Sequence, residues 1–133
     1  MKLLRGFSLI ELLIAMIVVG IISAVAYPSY LSFITKVNRT EAQRELLRLA
    51  NIQEHYYVNE GKYASSLILL GFKRAEYQTE SGRYEIYISA SSDIRFSLTA
   101  QAIGSQRNND EDCLTMSINE VGERAADSVF CWN

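Results

Sequence analysis

Hydrophobic residues open this chain as a block and then thin into a stripe. From Phe7 to Ala26 run twenty residues with one formal charge, Glu11. At a rise of about 1.5 Å per residue, a helix of that length spans the roughly 30 Å hydrocarbon core of a bilayer. From Leu31 onward the apolar positions Leu31, Ile34, Ala42, Leu46, Leu49, Ile52 and Tyr56 recur on one side at helical spacing, with Lys36, Gln43, Arg44, Asn51 and Glu54 opposite. Pro28 lies between the two stretches. It removes one backbone hydrogen bond and predicts a kink rather than a stop, because packed neighbours can satisfy the freed carbonyl. Asn59-Glu60-Gly61 supplies a C-terminal stop. The pattern therefore predicts one helix from about residue 7 to 59, apolar nearly all round in its first half and amphipathic in its second.

Beyond Gly61 the period shortens to two, the signature of an antiparallel sheet with one face buried. Tyr84, Ile86, Ile88 and Ala90 alternate with more polar neighbours, and after Ser91-Ser92-Asp93 so do Ile94, Phe96, Leu98, Ala100 and Ala102. The two runs predict a hairpin. A third strand carries Leu114, Met116 and Ile118, and the turn at Asn119-Glu120-Val121-Gly122 leads toward a weaker fourth. Residues 62–82 carry neither period and read as a loop. A helix stripe covering such a sheet is an α+β architecture.

Glu11 is the residue the block must explain. A lone charge at the centre of a membrane helix costs about 2.5–3.5 kcal/mol on insertion scales, so it requires a partner or a purpose. Lys2 and Arg5 form a basic leader, and Ala24-Val25-Ala26 has the small-x-small form of a signal peptidase site, so secretion with cleavage after Ala26 is one reading. Cleavage between Gly6 and Phe7 is the other. It retains the apolar run and exposes the Phe7 ammonium four residues before Glu11, at a helix start where the macrodipole already favours an anion by about 0.3–1 kcal/mol. Gly20 and Ala24 add a small-xxx-small pair that permits close helix approach.

The stretch Gly6-Phe7-Ser8-Leu9-Ile10-Glu11 resembles the start of the type IV pilins and related pseudopilins, whose leader ends in Gly-Phe followed by three residues and Glu. The resemblance implies a division into a removed leader, residues 1–6; a hydrophobic transmembrane and assembly helix, 7–30; and a periplasmic or extracellular headgroup, 31–133. It implies a prepilin peptidase that cuts after Gly6 and methylates the Phe7 amine, and a Glu11 carboxylate that pairs with the Phe7 amine of a neighbouring subunit. Partners on this reading are other pilin subunits, membrane lipid before assembly, and an inner-membrane platform with its ATPase. Location runs from the bacterial inner membrane to the pilus and cell surface.

Cys113 and Cys131 are an even pair in an exported chain, which reads as a disulfide. Closing that loop stabilises by about 3 kcal/mol in the chain-entropy model. The pair resembles the C-terminal disulfide loop of pilins, and its Cys131-Trp132 ending is most like the PilE-type minor pilins. The resemblance thus implies a structural subunit, of a minor kind, that initiates or joins a fibre serving twitching motility, adhesion or DNA uptake. A type II secretion pseudopilin is the alternative within the architecture. A membrane-anchored periplasmic binding domain is the alternative outside it.

Charge and isolated motifs change this picture little. Loss of residues 1–6 takes the 13 basic residues to 11 against 15 acidic, a net charge of about −4 that does not indicate direct nucleic-acid binding. Lys73, Arg74 and Arg83 are local basic groups that read as solvated surface. His55 stands alone on the polar side of the helix with no nucleophile and base pair near it in sequence, and no enzymatic function or cofactor is expected. Asn108-Asn109-Asp110-Glu111-Asp112 lacks EF-hand spacing and reads as a solvated acidic loop, without a metal site.

Overall fold

Helix α1 (Leu9–Glu60) carries Pro28 within it and ends where Gly61 turns left-handed (φ 71°), its N–H bonding Tyr57 O at 2.8 Å. Any other residue type there meets Cβ strain, so the glycine fixes the stop. The computed structural model describes residues 6–132; most of the leader expected at residues 1–6 lies outside them. The chain divides into two compact units, Met1–Ile34 and Thr35–Asn133, and α1 contributes to each.

In the second unit, α1 packs on a five-stranded antiparallel meander of order β1-β2-β3-β4-β5: β1 (Glu76–Gln78), β2 (Tyr84–Ser92), β3 (Arg95–Ala102), β4 (Thr115–Asn119) and β5 (Arg124–Ala126). Ala42, Leu46 and Leu49 of α1 are wholly buried in one cluster with Tyr84, Ile86, Leu98, Ala100 and Met116. Burying each large apolar side chain contributes about 1.5–3 kcal/mol, so this seam dominates the unit's stability. A short helix α2 (Ser105–Asn109) and a 3-10 turn (Glu111–Cys113) join β3 to β4.

The α+β expectation holds, and the departures from the predicted elements have local causes. β1 was hidden in the expected loop because it has three residues and half-buries only Tyr77. In β2, Ala90 was expected to face inward; a bulge between Ile88 and Ala90 breaks the alternation and leaves it exposed. Ile94 was expected in the second strand; it forms the hairpin turn with Asp93 and is 67% exposed. The weak fourth strand is β5, paired with β4 through Ile118 and Arg124.

Candidate functional site

The sequence-derived site residues fall in two groups, one in each unit. Gly6 and Phe7 precede α1 and are exposed, Phe7 to 85%, and Glu11 lies in the first turn of the helix, exposed as well. An 18-residue window of α1 has a mean hydropathy of 2.7 with none of it buried, long and apolar enough to cross a membrane. The side chains from Leu9 to Val25 therefore find no cover within the first unit.

In the second unit Cys113 and Cys131 are joined, with Cα atoms 5.6 Å apart. Both sulfurs are buried, and the Cys131 carbonyl accepts a hydrogen bond from Gln43 Nε2 of α1 at 2.6 Å. Gln43, assigned from the stripe to the polar side, is thus half-buried and fixes the chain's last turn to the helix. His55 is exposed, and Arg83 bonds Ser105 Oγ at 2.6 Å, apart from the exposed Lys73 and Arg74.

The segment read as a solvated acidic loop has the opposite role at Asp110. This carboxylate is 6% exposed and receives a bidentate pair from Arg39, through Nη2 and through Nε at 3.0 Å. Gln106 Nε2 at 3.1 Å and Tyr84 Oη at 3.3 Å also donate to it. Gln106 in turn donates to Thr35 O and accepts from Asn38 Nδ2. Burial, with Asp110 adding to it, pushes the Tyr84 phenol up to about 12, against the opposing influence of Gln106 and Arg39. The cluster locks the α2 connection to the first helical turns of the unit. Its charge is compensated by geometry that a buried pair requires.

A second polar pin lies at the other end of the same helix. Gln53 is wholly buried, its Nε2 donating to Ala64 O at 3.0 Å and its Oε1 accepting from Ala64 N at 2.9 Å. Tyr63, next along, stacks on Tyr57 at 4.6 Å and meets Phe96 edge-on at 4.8 Å. These pins fix the long connection that precedes β1. The apolar stripe does not single these residues out, although Thr35, Ala42, Leu46, Leu49 and Gln53 keep its spacing.

Two surface grooves differ in charge. One of about 530 Å³ is lined by Glu41, Glu45 and Glu80 with Arg44, and Ser81 N–H donates to Glu41. Another of about 410 Å³ runs along Phe72, Lys73, Arg74, Glu76, Tyr77 and Gln78. The Arg48 guanidinium of α1 lies over two of its rings, 5.7 Å from the Phe72 ring centre and 5.4 Å from that of Tyr77. The second groove is basic and aromatic at its rim. Among the described residues there is no group of three or more His, Cys, Asp or Glu placed to hold a metal ion.

Residues 1–27 match the prokaryotic N-terminal methylation motif, and residues 28–117 match the family described as type IV minor pilin ComP, DNA uptake sequence receptor. A major pilin PilA of Myxococcus xanthus is 32% identical over 68 residues, 51% of this chain and 31% of that protein, so the match spans under a third of that relative's length. A fimbrial protein of Neisseria meningitidis is 29% identical over 131 residues, 96% of this chain and 72% of its own. Among solved structures, the minor pilin PilV of Neisseria meningitidis superposes with a TM-score of 0.56 at 25% identity, covering 71% of this chain and 88% of PilV.

Proposed function

We infer the function from the fact that this chain belongs to the type IV minor pilin ComP family. It is a type IV pilin, a structural subunit of a fibre, and the secretion pseudopilin alternative is not favoured, since the matched family and the named relatives are pilins. An apolar N-terminal helix behind a methylation motif fits membrane anchoring followed by entry into the pilus.

The finer steps are our proposal. Residues 1–6 are removed by a prepilin peptidase that also methylates Phe7; residues 7–30 hold the subunit in the inner membrane; residues 31–133 form the headgroup. Glu11 then pairs with the Phe7 amine of a neighbour, which neutralises both charges as the helix leaves lipid for the fibre core. Pro28 supplies a bend. The platform protein and its ATPase drive the transfer, because the subunit carries no phosphate-binding loop. One observation supports this sequence of events above the others: the uncovered apolar run begins beside a carboxylate at the helix start. Lipid and neighbouring helices can cover such a run, whereas Glu11 needs a partner, and the Phe7 amine of a neighbour supplies an opposite charge.

The output we propose is DNA uptake, which the family's description supports. The net negative charge does not exclude a local contact, and the groove bearing Lys73 and Arg74 between aromatic rings has the chemistry of backbone contact with stacking.

The test is a Glu11→Ala chain expressed in cells and recovered from sheared fibres. Normal shortening by mass with absence from the fibre is the expected result; wild-type abundance in the fibre removes the pairing role. In parallel, Lys73→Ala with Arg74→Ala is expected to lower DNA retention by the fibre without changing subunit abundance. Unchanged retention assigns the DNA contact elsewhere.

A further inference from the structure

The segment after β4 is attached to the globular unit unlike any element before it. Between Glu120 and Trp132, Cys131 is the one buried side chain, while Val121, Val129 and Phe130 are exposed to 76%, 81% and 70%. Two of its best contacts are internal: Trp132 Nε1 donates to Ala125 O at 3.0 Å, and the Arg124 guanidinium stacks 5.1 Å from the Trp132 ring centre. Such contacts travel with the segment and do not hold it down.

Its outside attachments are a short ladder, a handful of polar contacts and partial apolar packing. Three register pairs join β5 to β4. The Asp127 carboxylate accepts from Thr115 N at 2.7 Å and Thr115 Oγ1 at 2.8 Å, an exposed pair. Gln43 holds Cys131 O, Phe96 N donates to Glu120, Asn119 of β4 bonds Glu123, Ala126 and Trp132 pack in part against the core cluster, and the disulfide crosses to Cys113. β4, by contrast, has a second strand partner. It pairs along its other edge with β3 over five positions, and Met116 and Ile118 are buried in the core under α1.

We propose that the Cys113–Cys131 bond is a thiol-sensitive latch on β5 and the closing turn, and not a crosslink on which the whole globular unit depends. A small dithiol reaches the buried sulfurs when the segment transiently lifts, and opens the bond by exchange: the dithiol loses two protons and two electrons and becomes a disulfide, and Cys113 and Cys131 each take up one of each and become thiols. β5 and the turn Val129–Trp132 then leave, and the outer edge of β4 is bared while α1 and β1–β4 keep their fold. An unpaired edge of this kind recruits other strands. The closed latch therefore protects the subunit before it enters a fibre. Because both sulfurs are buried, a protein disulfide oxidant reaches them only while the segment is off, so thiol oxidation precedes docking of the last turn.

The test is hydrogen exchange read by mass spectrometry on the full chain in detergent micelles. The oxidised chain is compared with the chain after dithiothreitol, with intact mass verifying the two added hydrogens, and with the Cys113→Ser/Cys131→Ser variant. Amides of residues 124–132 are expected to exchange about a hundredfold faster, the loop-closure contribution of such a crosslink converted at tenfold per 1.4 kcal/mol. Amides of Ala42–Gln53, β2 and β3 are expected to keep their rates. Faster exchange spread over those elements, in either reduced chain or variant, overturns the latch in favour of a global crosslink. Unchanged rates at 124–132 in reduced chain overturn it too, since the ladder and Gln43 then suffice.

Discussion

Replacing Asp110 with alanine tests whether the globular unit rests on a buried charge pair. Arg39 and Asp110 are 14% and 6% exposed, well below the exposure at which solvent screens an ion pair. Alanine removes the acceptor of two Arg39 donors, of Gln106 Nε2 and of the Tyr84 hydroxyl. Gln106 keeps Thr35 O, and Tyr84 keeps Cys113 O at 3.4 Å, so those two groups retain partners. Arg39 keeps none of its Asp110 bonds. Breaking a buried pair by removing one partner costs about 3–5 kcal/mol, most of it from the charge left behind. For a unit of this size each kcal/mol lowers Tm by about 4–8 °C, so a fall of more than about 12 °C is expected. Replacing both members, Arg39→Met with Asp110→Leu, removes the orphan charge and is expected to recover most of the loss. The assay is thermal and urea unfolding of the chain in micelles, followed by tyrosine near-ultraviolet circular dichroism. A loss under about 1 kcal/mol for Asp110→Ala, the value of an exposed pair, refutes the reasoning. So does a double variant no better than the single one.

Three further outcomes follow from the same contacts. Burial raises the phenols of Tyr84 and Tyr63 to about 12, so the folded state holds their protons above the ordinary tyrosine value near 10. That contribution to stability is complete below pH 10 and is lost as pH rises from 10 through 12; absorbance titration is expected to show these two late phenols with Tyr77, which burial also raises, and Tyr84→Phe to remove one. Gln53→Ala orphans the Ala64 N–H, whereas Ala64 O keeps Ser91 Oγ at 3.2 Å, so a loss of about 1–3 kcal/mol in the same urea assay is expected; a loss below that range means water replaces the amide. Gly6→Leu is expected to leave the leader attached, with an intact mass that still includes residues 1–6; a normally shortened product moves the cleavage site elsewhere.

The elements legible in the sequence were those whose signal is long. Twenty apolar residues, a stripe at helical spacing and two alternating runs each repeat their period several times, so the helix and the β2–β3 hairpin followed directly. Elements with one or two repeats did not: β1 has three residues, and the bulge at Ser89 ends the alternation before the strand ends. The motif residues Gly6, Phe7 and Glu11 were legible for a different reason. Their proposed chemistry is local, with cleavage site, amine and carboxylate within six positions, so no fold is needed to bring them together.

The polar pins could not be read that way, because two of them join residues far apart in sequence and the third, Gln53 with Ala64, spans the end of the helix. Arg39 and Asp110 are separated by 71 positions and Gln43 and Cys131 by 88. A polar residue on an apolar stripe is ambiguous until its partner is known: Gln53 unpartnered is a defect, and Gln53 holding both groups of Ala64 is a fixed point for the whole connection to β1. The same ambiguity covered Asp110, where five neighbouring polar residues suggested solvent, and one of them turned inward. Apolar packing tolerates sliding of a helix over a sheet, since one leucine fits much as another does. Bidentate and amide pins do not slide. A subunit whose apolar half must pass from lipid to fibre needs a headgroup held in register on its helix throughout, and the two pins, at Arg39 and at Gln53, set that register from both ends of the buried seam.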